Sequence, residues 1–295
     1  MILMVSGRTD IVAFYTSWFL KRYEEGHVDV RNPFNNQLVS RIYFKDVDAI
    51  IFCTKDPLPI IKYLKKIEKP ILFHITITPY LKDIEPNVPS KRAIIDGVKK
   101  VSKIIGKKYT CLRYDPIFLN EKYTLEYHKK MFERLCQKLD GYIEHIIISF
   151  LDDYKNVRKN IKIIRPKVLT SEDYKELGIA FSTIAKKHNI TVQTCFETEN
   201  LVEYGFIKSD CLNLELAWKL TGKTNYKKWT ARKGGNCNCV EMVDIGAYNT
   251  CNHLCKYCYA NYDEKQVNEN RKNHNPNSSL LIGNLKNSDI IKVRK

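Results

Sequence analysis

The chain has 295 residues, of which 44% are hydrophobic and 28% charged, with a formal net charge of +16 and ten cysteines. This balance argues for a folded protein with a large core, one α/β barrel or two smaller domains, and against a disordered chain. The apolar runs "AIIFC" and "HIIISFL" are far shorter than a membrane span, and the start "MILMVSGRTD" lacks the basic flank of a signal peptide. A cytoplasmic protein is expected, with no membrane partner. In that reducing compartment the cysteines are not expected as disulfides, which leaves catalysis, metal binding or packing. The charge has two readings, a Lys-rich composition spread over many helices or a polyanionic partner such as nucleic acid.

Short apolar runs alternate with amphipathic stretches. "MILMVS" reads as a strand, followed by a helix over 12–24. The stretch "VDVRNPFNNQLVSRIYF" interrupts the rhythm and reads as an inserted hairpin. "DAIIFCT" precedes a helix near 58–67, "ILFHITIT" one near 90–105, and "YTCLRYDPIF" one near 124–139. "HIIISFL" precedes helical segments between 154 and 187, "ITVQTCFE" follows, and "VEMVDIGA" gives a last strand near 245. Continuous β-rich runs between helices point to buried parallel strands in βα units. The expected fold is α/β, a full or partial TIM-like βα barrel, with an open doubly wound sheet as the alternative. Residues 1–200 form the main barrel units, 201–262 a cysteine-rich segment that completes the barrel, and 263–295 an extension. Asn, Lys and Ser over 265–279 read as an exposed loop or linker. The chain has neither G-x-G-x-x-G nor G-x-x-x-x-G-K-[ST], so the common nucleotide fingerprints are absent.

In parallel barrels, functional residues gather at the carboxyl ends of the strands. Those ends carry Ser6, Gly7, Arg8 and Asp10, then Thr54 and Lys55, then Arg113 and Asp115, then Cys195. Gly7 permits close backbone approach to a ligand. Asp10 is either a ligand acceptor or a helix cap. Arg113 and Asp115 alternate on one strand and share a face, as an ion pair or as substrate contacts. Lys55 fits an anion, although Asp56-Pro57 beside it also suits a helix start.

Cys251, Cys255 and Cys258 follow the last strand with C-x3-C-x2-C spacing. Three thiolates on one loop can each bind one iron of a cubane cluster and leave the fourth open. Zinc competes, with His253 inside the loop, although the spacing is not the paired C-x2-C of zinc ribbons. Cys195, Cys211, Cys237 and Cys239 make a second set of four. They fit an auxiliary iron–sulfur cluster, a zinc site, or unrelated buried thiols. Cys53, Cys111 and Cys136 fall on apolar strands or a helix and read as packing residues.

The loop resembles the signature of radical S-adenosylmethionine (SAM) enzymes, C-x3-C-x-aromatic-C, with Tyr257 as the aromatic residue. "SGRTDI", "RNPFN", "TKDP", "RYDPI", "DIGAYNTC" and "CYAN" resemble a functionally uncharacterised bacterial family that pairs an SGRTD start with such a cluster. Thr54-Lys55 and Asp115-Pro116-Ile117 resemble, more distantly, the spore photoproduct lyase group. The resemblance implies a [4Fe-4S] cluster on Cys251, Cys255 and Cys258, SAM on the open iron, and reductive cleavage to a 5′-deoxyadenosyl radical that abstracts hydrogen. It further implies cofactor contacts at Ser6, Gly7, Asp10, Thr54 and Tyr257, with Arg8, Lys55, Arg113 and Asp115 as catalytic candidates. An electron donor such as flavodoxin or ferredoxin would serve it, and the substrate would be a nucleic acid or a small molecule. The signature usually follows the first strand, so its late position implies a circularly permuted barrel. The alternative is a zinc-stabilised nucleic-acid-binding protein without catalysis.

Overall fold

The computed structural model describes residues 1–195, 197–207, 209–229 and 237–295. β1 (Ile2–Val5) leads into α1 (Ile11–Phe14) and α2 (Thr16–Glu24), then into a hairpin of β2 (His27–Asn32) and β3 (Asn35–Tyr43). β4 (Ala49–Thr54), β5 (Ile71–Thr76) and α3 (Lys91–Ile105) follow, then β6 (Thr110–Ile117), α4 (Leu125–Leu139) and β7 (His145–Phe150). α5 (Lys155–Lys159), α6 (Ile161–Ile164) and α7 (Ser171–Lys186) precede β8 (Thr191–Thr194). α8 (Leu214–Thr221), β9 (Met242–Asp244), α9 (Glu264–Lys272) and β10 (Ile290–Val293) complete the order.

The strands with unbroken apolar runs form a seven-stranded parallel sheet in the order β8-β7-β6-β5-β4-β1-β9. From β1 to β8 the order never reverses, unlike a doubly wound sheet, which turns back at a switch point. β9 returns to the free side of β1, with Ile2 opposite Met242. β8 and β9 are the two edges, and no pairing joins them among the described residues, so strand pairing does not close a full ring. The hairpin forms a separate sheet, β10-β3-β2.

One sheet face is covered by helices, as strands without polar alternation require. Phe132 of α4 stacks on Phe181 of α7 at 3.9 Å, and Tyr114 of β6 meets both edge-on. On the other face Ile2, Ile51 and Leu72 pack against Leu212, Ala217 and Leu220 around α8. Ser90, Thr124 and Thr170 cap α3, α4 and α7 through their side chains, and Thr170 and Asp173 form a reciprocal capping box.

Three local expectations change. Residues 12–24 form two helices that break at Tyr15. Residues 58–66 wind as a tighter 3₁₀ helix rather than an α-helix. The polar stretch 265–279 is not all loop, because α9 occupies its first half, capped by Asp263 and anchored by buried Val267. No helix among the described residues is long and apolar enough to cross a membrane.

His128 of α4 is fully buried, with Nδ1 facing the Tyr114 hydroxyl at 3.1 Å and Nε2 facing the Phe118 carbonyl at 3.0 Å. Burial lowers its pKa from 6.5 to about 4. A group with a depressed folded pKa contributes stability above its unfolded pKa and loses it as pH falls through the folded value. Denaturant titrations are therefore expected to show stability falling between pH 6.5 and 4. His128→Gln, which cannot protonate, is expected to show a shallower fall.

Candidate metal centre

The cysteine loop follows β9 and lies at the carboxyl edge of the sheet. Its backbone is fastened from several directions. Asn87 Nδ2 donates to the Asn252 carbonyl at 2.8 Å, and Lys256 N donates to the Ile84 carbonyl at 2.9 Å. From α5 and its end, Asn156 Nδ2 donates to the Tyr259 carbonyl at 2.7 Å and Asn160 Nδ2 to the Lys256 carbonyl at 2.8 Å. Tyr15 donates its hydroxyl to the Thr250 carbonyl at 2.7 Å. Four of these bonds answer loop carbonyls, and the Ile84 carbonyl answers a loop N–H, groups that would otherwise be left without partners.

Cys251 and Cys255 are buried and Cys258 partly so. Burial raises all three thiol pKa values. They stay protonated until a metal displaces the protons, so binding would release acid. Among the described residues, Asp210, Cys237 and Cys239 are the one set of three His, Cys, Asp or Glu ligand atoms lying within 4.8 Å of one another. The loop trio is therefore more widely spaced than sulfurs on one zinc, which with bonds of about 2.3 Å stand about 3.8 Å apart. His253 does not join the loop cysteines in such a set. Its Nε2 meets Asp10 at 2.9 Å and its ring packs on Phe14.

Asp10 resolves toward the cap. Oδ1 accepts from Ala13 N at 2.9 Å at the start of α1. Oδ2 accepts from Thr54 Oγ1 at 3.0 Å and Lys55 N at 2.7 Å, and meets His253. Thr54 is thereby a link in the same network, and it also accepts from Asp56 N.

Lys55 turns the other way, donating Nζ to Glu85 Oε1 at 2.9 Å. Buried Glu85 also accepts from Thr78 at 2.6 Å and from Lys91 and the Tyr257 hydroxyl. Burial pushes the Glu85 carboxyl up, but Lys55 and Lys91 outweigh it and hold the pKa at about 2. Burial likewise opposes the Lys55 ammonium, and Glu85, with Cys255 nearby, raises its pKa nonetheless. Tyr257 is buried, with the Lys55 ammonium 5.4 Å from its ring centre. Lys55, Glu85 and Tyr257 thus form one charged buttress beside Cys255.

Ser6, Gly7 and Arg8 meet Asp244 at the end of β9. Asp244 accepts from Ser6 Oγ at 2.9 Å, Gly7 N at 2.9 Å and Gly246 N at 2.6 Å. Arg8 Nη2 donates to the Asp244 carbonyl at 3.0 Å, and its guanidinium lies over Tyr248. A Cβ at Gly7 would sit 3.0 Å from Asp244 Oδ2 and 3.1 Å from Met4 Sδ, so glycine is needed for close approach.

Arg113 and Asp115 form the ion pair, with Nε and Nη2 at 2.9 and 2.6 Å from one carboxylate oxygen. Arg113 also donates Nη1 to Cys211 Sγ at 3.3 Å. Cys195 and Cys211 lie 3.0 Å apart, and Cys237 and Cys239 share their surroundings with Asp210. Cys111 packs against this second group, while Cys136 lies in the helix-side core and Cys53 packs against the Ile51 cluster.

Glu85, Asp244 and Asp210 escape sequence reasoning, since each sits in an aperiodic loop or at a strand end with partners far away in the chain. Glu197, which sequence reading places beyond the carboxyl end of β8, accepts from Phe150 N at 2.8 Å, and burial raises its pKa to about 8.

Fold and loop together define an α/β protein with a three-cysteine loop at the carboxyl edge of a parallel sheet. The chain belongs to the family described as "Domain of unknown function (DUF1848)", which it matches over residues 2–260, from β1 through the cysteine loop. No curated protein matches it.

Glu85→Gln leaves two ammonium groups without their carboxylate. It is expected to cost about 3 kcal/mol in denaturant titrations, the lower end for a broken buried pair because Lys91 is partly exposed. The depressed pKa means that the wild-type contribution is present above pH 4.5 and fades toward pH 2. The variant should not show that fade. A Cβ at Gly246 would lie 1.9 Å from Ser6 Oγ. Gly246→Ala should destabilise by about 1–3 kcal/mol, and Ser6→Ala in the same chain should restore part of the loss in thermal melts.

Proposed function

We propose that the protein is a radical SAM enzyme, built on a partial βα barrel whose units are circularly permuted. The observation that carries this reading is the loop itself. Its C-x3-C-x-Tyr-C cysteines are gathered at the sheet's carboxyl edge, on a loop following a strand paired with β1. Cys251, Cys255 and Cys258 fit a [4Fe-4S] cluster with three protein ligands, leaving one iron for the amino and carboxylate groups of SAM. When bound, that pair supplies one-electron cleavage of SAM to a 5′-deoxyadenosyl radical for hydrogen abstraction.

The chain's own residues would prepare the site. Lys55, held on Glu85, offsets the negative charge of the thiolates. Buried Tyr257, bonded to Glu85, would shield the Cys255 side of the loop from water. Asp10 and Thr54 fix the loop through His253 and the β4 end. The Ser6-Gly7-Arg8 turn, fastened to Asp244, sets the adjoining edge, where SAM would lie. Arg8, Lys55, Arg113 and Asp115 stand at the carboxyl ends of β1, β4 and β6. They would meet the substrate, a nucleic acid or a small anionic molecule, with electrons from a flavodoxin or ferredoxin in the cytoplasm.

Anaerobic purification and reconstitution test this. With SAM and a reductant, the protein should form 5′-deoxyadenosine, and Cys255→Ala should abolish product and lower iron by about four atoms per chain. Iron-loaded wild type that forms no 5′-deoxyadenosine under any reductant overturns the reading. Colourless protein with zinc, no iron, and tight salt-sensitive nucleic-acid binding would instead support the zinc-stabilised binding protein.

A further inference from the structure

A second group of thiols lies away from the loop. Cys195 follows β8, Cys211 precedes α8, and Cys237 and Cys239 lead toward β9. The topology brings these separate segments together on the sheet face that bears α8, opposite α4 and α7, where Cys211 and Cys239 pack with Cys111 and Ile147. Cys195 and Cys211 sulfurs are 3.0 Å apart. Those of Cys237 and Cys239 lie within 4.8 Å of each other and of an Asp210 carboxylate oxygen. Asp210 also accepts from Asn238 N at 2.9 Å, which orders the Cys237–Cys239 turn.

The four sulfurs do not all lie within 4.8 Å of one another. Four thiolates on one zinc would stand about 3.8 Å apart in every pair, since each bond is about 2.3 Å. Two further features concern charge and donors. Arg113 directs Nη1 to Cys211 Sγ at 3.3 Å, a permanent cation against a sulfur that a metal would leave as thiolate. Gln193 is 5% exposed, and its Nε2 has no hydrogen-bond partner among the described residues. It pairs in register with Ile147 and precedes Cys195 by two residues, which puts it on the thiol face. A buried amide donor without an acceptor is costly, and cluster sulfurs accept such bonds.

We propose that Cys195, Cys211, Cys237 and Cys239 bind a second iron–sulfur cluster, with four protein thiolates and Arg113 and Gln193 as the adjacent N–H donors. This site is complete in its own ligands and stands whether or not the loop binds SAM.

Iron, sulfide and zinc counts on the full chain, reconstituted without oxygen, test it. The intact protein should hold about eight irons and as many sulfides, two clusters of the four-iron type. Cys251→Ala/Cys255→Ala/Cys258→Ala should keep about four, with visible absorbance, and Cys195→Ala/Cys211→Ala should lose the same number from the intact chain. About four irons in the intact protein that Cys195→Ala/Cys211→Ala retains and the loop triple variant loses, or one zinc beside four irons, overturns the proposal. A loop triple variant without iron overturns it as well. A loop triple variant with wild-type iron would sink the loop reading and leave this one intact.

Discussion

Asp10 is the constraint on which the site depends. A buried carboxylate is tolerated only when donors surround it, and here each comes from a different part of the fold. Ala13 offers the start of α1, Thr54 and Lys55 offer the end of β4, and His253 belongs to the cysteine loop. One side chain thus fixes the positions of the first turn, the neighbouring strand and the cysteine loop relative to each other. Its orientation follows from capping α1, so the same carboxylate positions the helix start and the loop.

A second carboxylate repeats the device on the other side of β1. Asp244 ends β9 and takes the Ser6 hydroxyl and the Gly7 and Gly246 amides, which leaves no space for a Cβ at Gly246. The early and late strands are therefore joined by side-chain bonds as well as by the ladder. Glu85 contributes differently. It gathers Lys55, Lys91, Thr78 and Tyr257, and so holds cationic charge beside thiols whose ionised form needs it.

Much of the scaffold was legible because the strands read as unbroken apolar runs and the hairpin over 27–43 interrupts them with turn residues. Cysteine spacing singled out the loop for the same reason: covalent proximity is visible in sequence. What escaped was long-range. Glu85 lies in "LKDIEPNV", where nothing periodic marks it, and its partners come from four other segments. Asp10 could be weighed between cap and ligand, but its contact with His253 depends on a fold in which residues so distant become neighbours. The helix Glu264–Lys272 was hidden because Val267 is its one buried apolar residue. Its stability draws on the Asp263 cap and on Asn270 reaching the Asn249 carbonyl.

The placement of β9 bears on how the protein is made. Ile2 finds Met242 only after nearly all of the parallel sheet has been synthesised, and such distant pairings pay loop-closure entropy before any contact rewards it. Domains assemble from the N-terminal side during translation. β1 and β4 to β8, together with the Glu85 pocket and the Asn156 and Asn160 clamps, are thus available before the thiols arrive. The nascent chain delivers its three loop cysteines to a finished socket. A cluster of the kind proposed for the loop would accordingly enter a nearly folded protein, at a late and separate step.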